Sequence, residues 1–151
     1  MVLTYNAPTA WYGCRRAYIV PGDTGVIIGL GPVGLMSVQS AFVMGAARVI
    51  GLDPIASRRD RAEQLGAETF QSGEDVSSSV REAAGRSGVD AVVDAVGADE
   101  VRIVKPRGRI SVIGVNQSKL MPFPMAYAQV KESRVRHGLC SVQQSYQPCY
   151  A

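Results

Sequence analysis

The sequence has 151 residues, of which 46% are hydrophobic and 19% are charged, and its formal net charge is +3. This length is enough for one substantial hydrophobic core and too short for two domains of ordinary size. The basic residues are scattered along the chain, which excludes the basic stripe typical of nucleic-acid-binding proteins. We therefore expect one globular domain that does not bind nucleic acid.

The cysteine content argues against disulfides and structural zinc. Cys14, Cys140 and Cys149 are odd in number and form no CxxC pair, and with His137, the single histidine, they make only a nominal ligand set. The first ten residues lack the basic start and apolar run of a secretory signal. We expect reduced thiols, no metal site and a cytoplasmic location.

The first predicted strand and helix lie within a stretch without charges, residues 24–47. The stretch is long enough for a membrane span, but its five glycines and Pro32 divide it into a short strand at 26–30, a tight turn and a helix. Pro32 suits a first helical turn, and Gly45 is expected to end the helix. The sequence therefore predicts a buried strand and helix rather than a membrane segment.

Strands and helices alternate through the rest of the chain. Further strands are predicted at residues 48–53, 68–71, 89–96, 109–115 and 133–139, with helices at 56–65, 76–84 after a capping box at 72–75, about 99–104 and 125–131. This alternation is typical of an α/β fold with a doubly wound parallel sheet of about six strands, the Rossmann fold, in a single domain. We expect residues 1–20 to be a remnant leading into the domain, residues 21–140 to form a dinucleotide-binding domain, and residues 141–151 to form a tail.

A glycine-rich turn follows the first strand. It has the pattern GxGxxG and comprises Gly29, Gly31, Pro32, Val33 and Gly34. The first glycine makes the turn, the second lets a pyrophosphate approach the backbone, and the third lets the helix pack against the strand. The N–H groups at the helix start favour bound phosphate. Such turns also serve simple chain reversal, but this one lies between a buried strand and a helix.

An acidic residue stands where a ribose carboxylate is expected. Asp53 ends the second strand 19 residues after Gly34, and a carboxylate there can accept both ribose hydroxyls. The same charge would repel a 2′-phosphate, which favours NAD over NADP. Arg58 and Arg59 could instead bind a 2′-phosphate or lie on a solvated helix face. Nucleoside-binding methyltransferases use a similar acid, usually with a less regular glycine turn.

Several motifs together resemble zinc-containing medium-chain alcohol dehydrogenases, over most of the chain from about residue 8 to 141. They are PGDT at 21–24, GLGPVG at 29–34, MGAARVI at 44–50, LGA at 65–67, DAVG at 94–97 and IGV at 113–115. The resemblance implies the NAD-binding domain of an oxidoreductase. It places Asp53 and Arg58 beside the adenosine ribose, the backbone of Val96 and Val115 at the nicotinamide carboxamide, and Thr9 near the nicotinamide. The alternatives are strand packing for the valines and an ordinary turn at Thr9.

The resemblance also implies a homodimer. The last strand, residues 133–139, would pair with its counterpart in a second copy, and an unpaired edge strand independently favours such pairing.

The chain departs from this family at the zinc site. The resemblance implies a preceding catalytic domain with two zinc ligands, and a third ligand at the position of Tyr5. A phenol resists the deprotonation that zinc binding requires, so we expect no zinc ligand set and assign no catalytic residue in this chain. The segment between the fourth and fifth strands is short, Arg107 stands where the family often has glycine, and the chain stops soon after the sixth strand.

Three interpretations of function remain open at this stage. The chain could be the NAD-binding half of an alcohol dehydrogenase that transfers hydride between an alcohol or aldehyde and nicotinamide. It could instead be a standalone NAD-binding module or pseudoenzyme without catalysis, which the missing zinc ligands favour. The third interpretation is a gene fragment or misread frame whose product folds poorly. The sequence identifies no substrate, because the family builds its substrate pocket largely from the other domain.

Overall fold

A computed structural model describes residues 2–73, 76–85, 87–97, 102–115, 125–138 and 140 of the chain. Its strands are β1 (Thr24–Ile28), β2 (Arg48–Leu52), β3 (Glu68–Phe70), β4 (Val89–Asp94), β5 (Val104–Val112) and β6 (Arg134–His137). Its helices are α1 (Val2–Arg16), α2 (Pro32–Val43), α3 (Ala56–Gln64), α4 (Val76–Ala84) and α5 (Met125–Val130).

The strands form one parallel sheet in the order β3-β2-β1-β4-β5-β6. This order confirms the predicted doubly wound α/β fold. The chain first winds outward from β1 to β3 and then crosses back to β4 on the other side of β1. In such sheets ligands bind beyond the carboxyl ends of the strands where the winding reverses, which is the position between β1 and β4.

The two faces of the sheet carry separate apolar clusters, because successive strand side chains point to opposite faces. One cluster joins Ile27 and Val93 to buried residues of α1, α2 and α3. The other joins Ile28 and Val92 to buried residues of α4 and α5. The glycine turn between β1 and α2 is therefore held from both sides by packed elements.

The N-terminal segment contains a helix that the sequence analysis did not predict. Helix α1 includes Pro8 and Thr9, so the alternative of an ordinary turn there is wrong. Pro8 cannot donate a helical hydrogen bond, but α1 buries Ala10 and Cys14 against the sheet. Apolar packing therefore outweighs the unfavourable proline.

The connection from β4 to β5 also differs from the prediction. A helical turn reaching Val104 is wrong, since Arg102 and Ile103 form a turn and Val104 begins β5. The register shifts between the pair Val89 and Val104 and the pair Ala91 and Arg109, so a bulge lies before Arg109. Proline and left-handed residues are tolerated at such irregularities, and the bulge accommodates Pro106 and Arg107.

The other elements match the predicted ones in type and order. Strand β1 has the predicted length but begins two residues earlier, and β2, β3, β4 and β6 are shorter than predicted. Strands β2, β4 and β5 end before Asp53, Val96 and Val115, so all three of these candidate site residues lie in the loops at the carboxyl edge. Residues 74–75 of the predicted capping box, residues 98–101, residue 139 and the tail at 141–151 lie outside the described residues. Among the described residues, no helix is long and apolar enough to cross a membrane.

Candidate functional site

The glycine turn is tightly fitted between β1 and α2. Gly29 has a φ of +82°, a conformation that side-chain-bearing residues rarely adopt. A Cβ on Gly34 would overlap the carbonyl oxygen of Gly29, so helix and strand approach as closely as the absence of a side chain permits. By contrast, a Cβ on Gly31 would meet no atom within 4 Å. The turn is thus closed toward the protein and open toward solvent at its second glycine.

The open side of this turn borders a cleft of about 230 Å³. Seven residues selected from the sequence line it together with Ala95: Gly29, Gly31, Pro32, Val33, Gly34, Arg58 and Val96. Helix α2 begins beside the cleft, with Gly31 as its N-cap and no side chain bonded to the cap. The first N–H groups of a helix have no intrahelical acceptor, so this end of α2 favours an anionic group in the cleft.

The carboxylate of Asp53 is attached to the glycine turn. Its Oδ2 accepts a hydrogen bond from the backbone N–H of Leu30 at 2.8 Å, and its Oδ1 accepts one from Ile55 N–H at 2.8 Å. The side chain is only 1% exposed. These bonds fix the orientation of the carboxylate and connect the end of β2 directly to the middle of the turn. The sequence predicts the glycine turn and Asp53 at the same ends of neighbouring strands, but it does not predict the bond from Leu30 N–H to the carboxylate.

Two arginines of α3 surround Asp53 in different ways. Arg58 Nη1 lies 3.4 Å from Asp53 Oδ2, and its side chain is 46% exposed and lines the cleft. Arg59 Nη1 instead donates to the backbone carbonyl of Asp53 at 2.8 Å. Arg58 therefore provides a positive charge at the cleft wall, while Arg59 supports the backbone behind it.

A second buried carboxylate shapes the opposite wall of the cleft. Asp94 Oδ1 accepts hydrogen bonds from the backbone N–H groups of Val96 at 2.8 Å and Gly97 at 2.7 Å. Because these contacts fold the chain back after β4, Val96 stands 55% exposed at the cleft. In the sequence, Asp94 stands out only as part of the DAVG motif, although a carboxylate two residues before a bonded N–H is a recognised turn signal.

Three of the ten candidate residues do not line the cleft: the buried Asp53 described above, Thr9 and Val115. Thr9 is buried in α1, where its hydroxyl donates to the carbonyl of Tyr5 at 2.7 Å. Val115 follows β5 and is 65% exposed. A Cβ on the adjacent Gly114 would overlap the backbone of Val96, so the loops after β4 and β5 touch. The structure therefore places Val115 next to the cleft wall without bringing it into the cleft.

The residues that the structure describes do not fit a zinc site. Among the described residues, no three His, Cys, Asp or Glu side chains are grouped closely enough to hold a metal ion. Tyr5 is 55% exposed and offers a phenol. Burial raises the pKa of the Cys14 thiol to about 12, which disfavours the thiolate that binds zinc. Cys14 forms no disulfide.

Known proteins share this architecture. The sequence profile described as zinc-binding dehydrogenase matches residues 32–150. A protein described as a probable zinc-binding alcohol dehydrogenase of Mycobacterium tuberculosis is 34% identical and matches 97% of this chain and 39% of its own length. The chain belongs to the zinc-binding dehydrogenase family.

Solved structures of zinc-binding dehydrogenases superpose on the chain. The alcohol dehydrogenase TADH of Thermus sp. ATN1 is 35% identical, with a TM-score of 0.89 over 95% of this chain and 43% of that one. A zinc-binding dehydrogenase of Sinorhizobium meliloti, solved with bound NADP, is 27% identical, with a TM-score of 0.83 over 95% and 46% of the two chains. The chain spans about 40% of the length of its relatives. It corresponds to the nucleotide-binding part of these oxidoreductases.

Proposed function

We propose that this chain binds NAD(H) in the cleft at the carboxyl edge of the sheet, as the cofactor-binding part of an alcohol dehydrogenase-like oxidoreductase. The observation that carries the proposal is the bond from Leu30 N–H to Asp53, which joins the glycine turn to a fixed carboxylate. The pyrophosphate would lie at Gly31 and the start of α2, and the adenosine ribose would lie near Asp53 and Arg58. Family membership supports a nucleotide cofactor of this kind.

Asp53 supports NAD over NADP. A 2′-phosphate would approach a carboxylate that is 1% exposed and held in place by two backbone N–H groups, and the repulsion between the two anions is strong where water is excluded. Arg58 acts in the opposite direction, because its guanidinium is exposed at the cleft wall and could pair with a phosphate. We infer a preference for NAD because the carboxylate is hydrogen-bonded to the turn itself, through Leu30 N–H.

The nicotinamide end would lie toward the loops after β4 and β5. The backbone of Val96 and Val115 offers polar groups there, and Thr9 lies in α1 on the same side of the sheet as Ile113 and Gly13. In a longer protein, this arrangement would present the nicotinamide for hydride exchange with an alcohol or aldehyde. This chain would bind and orient the cofactor, and among its described residues no group of side chains would hold zinc for the reaction.

A standalone NAD-binding module is the second candidate function. The donor chemistry favours it, because Tyr5 and the buried Cys14 offer no metal site among the described residues. Under this candidate, cofactor binding is retained and hydride transfer is absent. Both candidates share the same cleft and the same cofactor.

We also propose that the chain forms a homodimer through residues 133–139. Strand β6 occupies the edge of the sheet, and its outer side has no strand partner among the described residues. An edge strand is a template for pairing with another chain.

A fluorescence titration with NADH and NADPH tests the cofactor proposal. We expect the wild-type chain to bind NADH more tightly than NADPH, and Asp53→Asn to weaken NADH binding roughly tenfold or more because a charged acceptor is lost. Asp60→Asn is the matched control, since it makes the same change at an exposed position of α3. A folded chain that binds neither nucleotide would overturn the proposal.

A further inference from the structure

The carboxylate of Asp94 is a buried polar group that the proposed cofactor contacts do not use. Its side chain is 1% exposed and lies at the end of β4, beside the glycine turn. Its Oδ1 accepts both of the next available backbone donors, Val96 N–H at 2.8 Å and Gly97 N–H at 2.7 Å. Burial of a carboxylate is costly unless it is hydrogen-bonded, so these bonds help to accommodate Asp94 at this depth.

The residues around Asp94 connect the ends of three strands. The Asp94 carbonyl accepts the N–H groups of Ile113 at 2.8 Å and Gly114 at 3.0 Å, which follow β5. Ala95 N–H donates at 3.0 Å to the carbonyl of Ile28, the last residue of β1. A displacement of the segment after β4 would therefore reach the ends of β1 and β5 as well.

Val96 is the point at which this segment meets the glycine turn. A Cβ on Gly29 would lie 2.2 Å from Val96 Cγ2, so the valine methyl group lies directly against the first glycine. The same side chain also lines the cleft. Val96 therefore supports the turn and at the same time borders the space in which a nucleotide would lie.

The bonds to Asp94 also occupy two donors that would otherwise attract an anion. Consecutive N–H groups in a turn form a concave anion site, and Gly97 has the left-handed φ of +89° that is typical of one. In this protein the Asp94 carboxylate fills that site, on the wall opposite α2. At the start of α2, by contrast, no side chain bonds to the N-cap. A phosphate in the cleft is therefore favoured on the α2 side.

We propose that Asp94 is a positioning residue for the nucleotide. Its carboxylate acts as a built-in acceptor that occupies the two N–H groups, holds Val96 against Gly29 and directs the pyrophosphate to the start of α2. This inference rests on the NAD(H) binding proposed above and adds to it a residue that does not touch the nucleotide. Asp53 and Asp94 then fix the glycine turn from its two sides.

NADH fluorescence titration of the full chain tests this role with two changes at Asp94. Asp94→Ala should weaken NADH binding roughly tenfold, because Val96 is released and two donors are exposed on the wrong wall. Asp94→Asn keeps a side-chain oxygen that can accept both N–H groups, so its affinity should stay within about threefold of wild type. Formate supplies the missing carboxylate, so it should restore most of the affinity of Asp94→Ala relative to chloride at the same ionic strength.

Arg109→Gln is the control for loss of stability, because Arg109 pairs with Asp23 at the amino ends of the strands. Urea denaturation should show it to be destabilised while it binds NADH as wild type does. A folded Asp94→Ala variant with wild-type NADH affinity would overturn the proposal. So would formate that restores nothing, or an Asp94→Asn variant as weak as Asp94→Ala.

Val96→Ala tests the contact with the turn without disturbing the buried carboxylate. We expect NADH affinity about threefold lower and unchanged stability, because this side chain is exposed at the cleft. Val43→Ala is the matched control, since Val43 is 75% exposed at the last residue of α2, the end away from the cleft. Equal NADH affinity in the two valine variants would overturn the proposed route from Asp94 to the turn. A folded wild-type chain that does not bind NADH would overturn the cofactor proposal together with this inference, whereas wild-type binding with unchanged variants would overturn this inference alone.

Discussion

The amino and carboxyl ends of the parallel strands, called here the amino and carboxyl edges of the sheet, use charged residues differently. At the amino edge, acidic and basic side chains pair with one another in three ion pairs: Arg48–Glu68, Lys105–Asp90 and Arg109–Asp23. At the carboxyl edge, the carboxylates of Asp53 and Asp94 accept backbone N–H groups, and Arg58 remains exposed at the cleft. The amino edge thus satisfies its charges internally, whereas the carboxyl edge uses carboxylates to shape loops and leaves charge for a ligand.

This difference separates stability from binding. Substitutions at the amino edge should lower the free energy of unfolding without changing nucleotide affinity. Substitutions at the carboxyl edge should change affinity, and should affect stability only where they also disturb packing.

Gly34→Ala should be the most damaging single change. The added methyl group would overlap the carbonyl oxygen of Gly29, which is backbone and cannot rotate away. We expect a loss of roughly 3 kcal/mol in the free energy of unfolding, together with loss of NADH binding. Urea denaturation and NADH fluorescence measure the two effects. Gly73→Ala is the control, because a Cβ there meets nothing within 4 Å, and equal effects in both variants would contradict the close packing.

Arg109→Gln should weaken the amino edge alone. Arg109 Nη2 lies 2.7 Å from Asp23 Oδ2, and Nη1 donates to the Tyr18 carbonyl at 2.9 Å. Loss of the cation leaves the carboxylate of Asp23, which is 8% exposed, with the Val20 N–H as its one remaining hydrogen-bond donor among the described residues. We expect about 2 kcal/mol lower stability in urea denaturation and unchanged NADH affinity. A clear change in NADH affinity would show that the two edges are not independent.

Acid should destabilise the amino edge through Asp90. Burial alone would raise the pKa of this carboxyl, but hydrogen bonds from Lys105 and Thr24 N–H outweigh it and hold the pKa below 3.8. A carboxyl with a lowered folded pKa contributes stability above its unfolded pKa and loses it as pH falls through the folded value. Melting temperatures of wild type should therefore fall more steeply below about pH 4 than those of Asp90→Asn. Parallel curves for the two proteins would contradict this role.

Arg107→Gly should give the smallest effect, and in the stabilising direction. Arg107 has a φ of +61°, and its ion pair with Glu132 joins side chains that are 82% and 66% exposed. Such an exposed pair contributes little, whereas glycine relieves the left-handed strain. We expect about 0.5 kcal/mol of added stability by urea denaturation. Arg107→Ala removes the same side chain but keeps the strain, so equal stability of the two variants would show that φ is not the cause.

The central β1–α2–β2 unit could be predicted from the sequence because several local signals agree. An apolar run, three spaced glycines, a proline at the first helical turn and an acid after the next strand all indicate the same structure. Seven of the ten candidate site residues line one cleft, and five of these belong to the glycine motif, which fixes their positions locally. The bond between Leu30 and Asp53 was not predictable, since it arises from a backbone group and a side chain 23 residues apart.

The regions that escaped prediction depend on long-range contacts that oppose local preference. Pro8 argues against a helix, yet Gly13 packs against Ile113 and holds α1 on the sheet. Pro106 and Arg107 argue against a strand, yet Arg107 N–H bonds to the Lys131 carbonyl and the bulge keeps β5 beside β4. In both regions tertiary packing overrides propensity, which a single sequence does not reveal.

Backbone amide NMR of the labelled chain during NADH addition tests the location of the cofactor site most directly. We predict that the amide signals of residues around the cleft shift progressively as the NADH concentration is raised. The largest shifts are expected for Gly31, Val33, Gly34 and Val96. Signals from Arg48 and Arg109 at the amino edge should stay unchanged. Shifts concentrated at the amino edge, or no shifts in a folded chain, would contradict binding at the carboxyl edge.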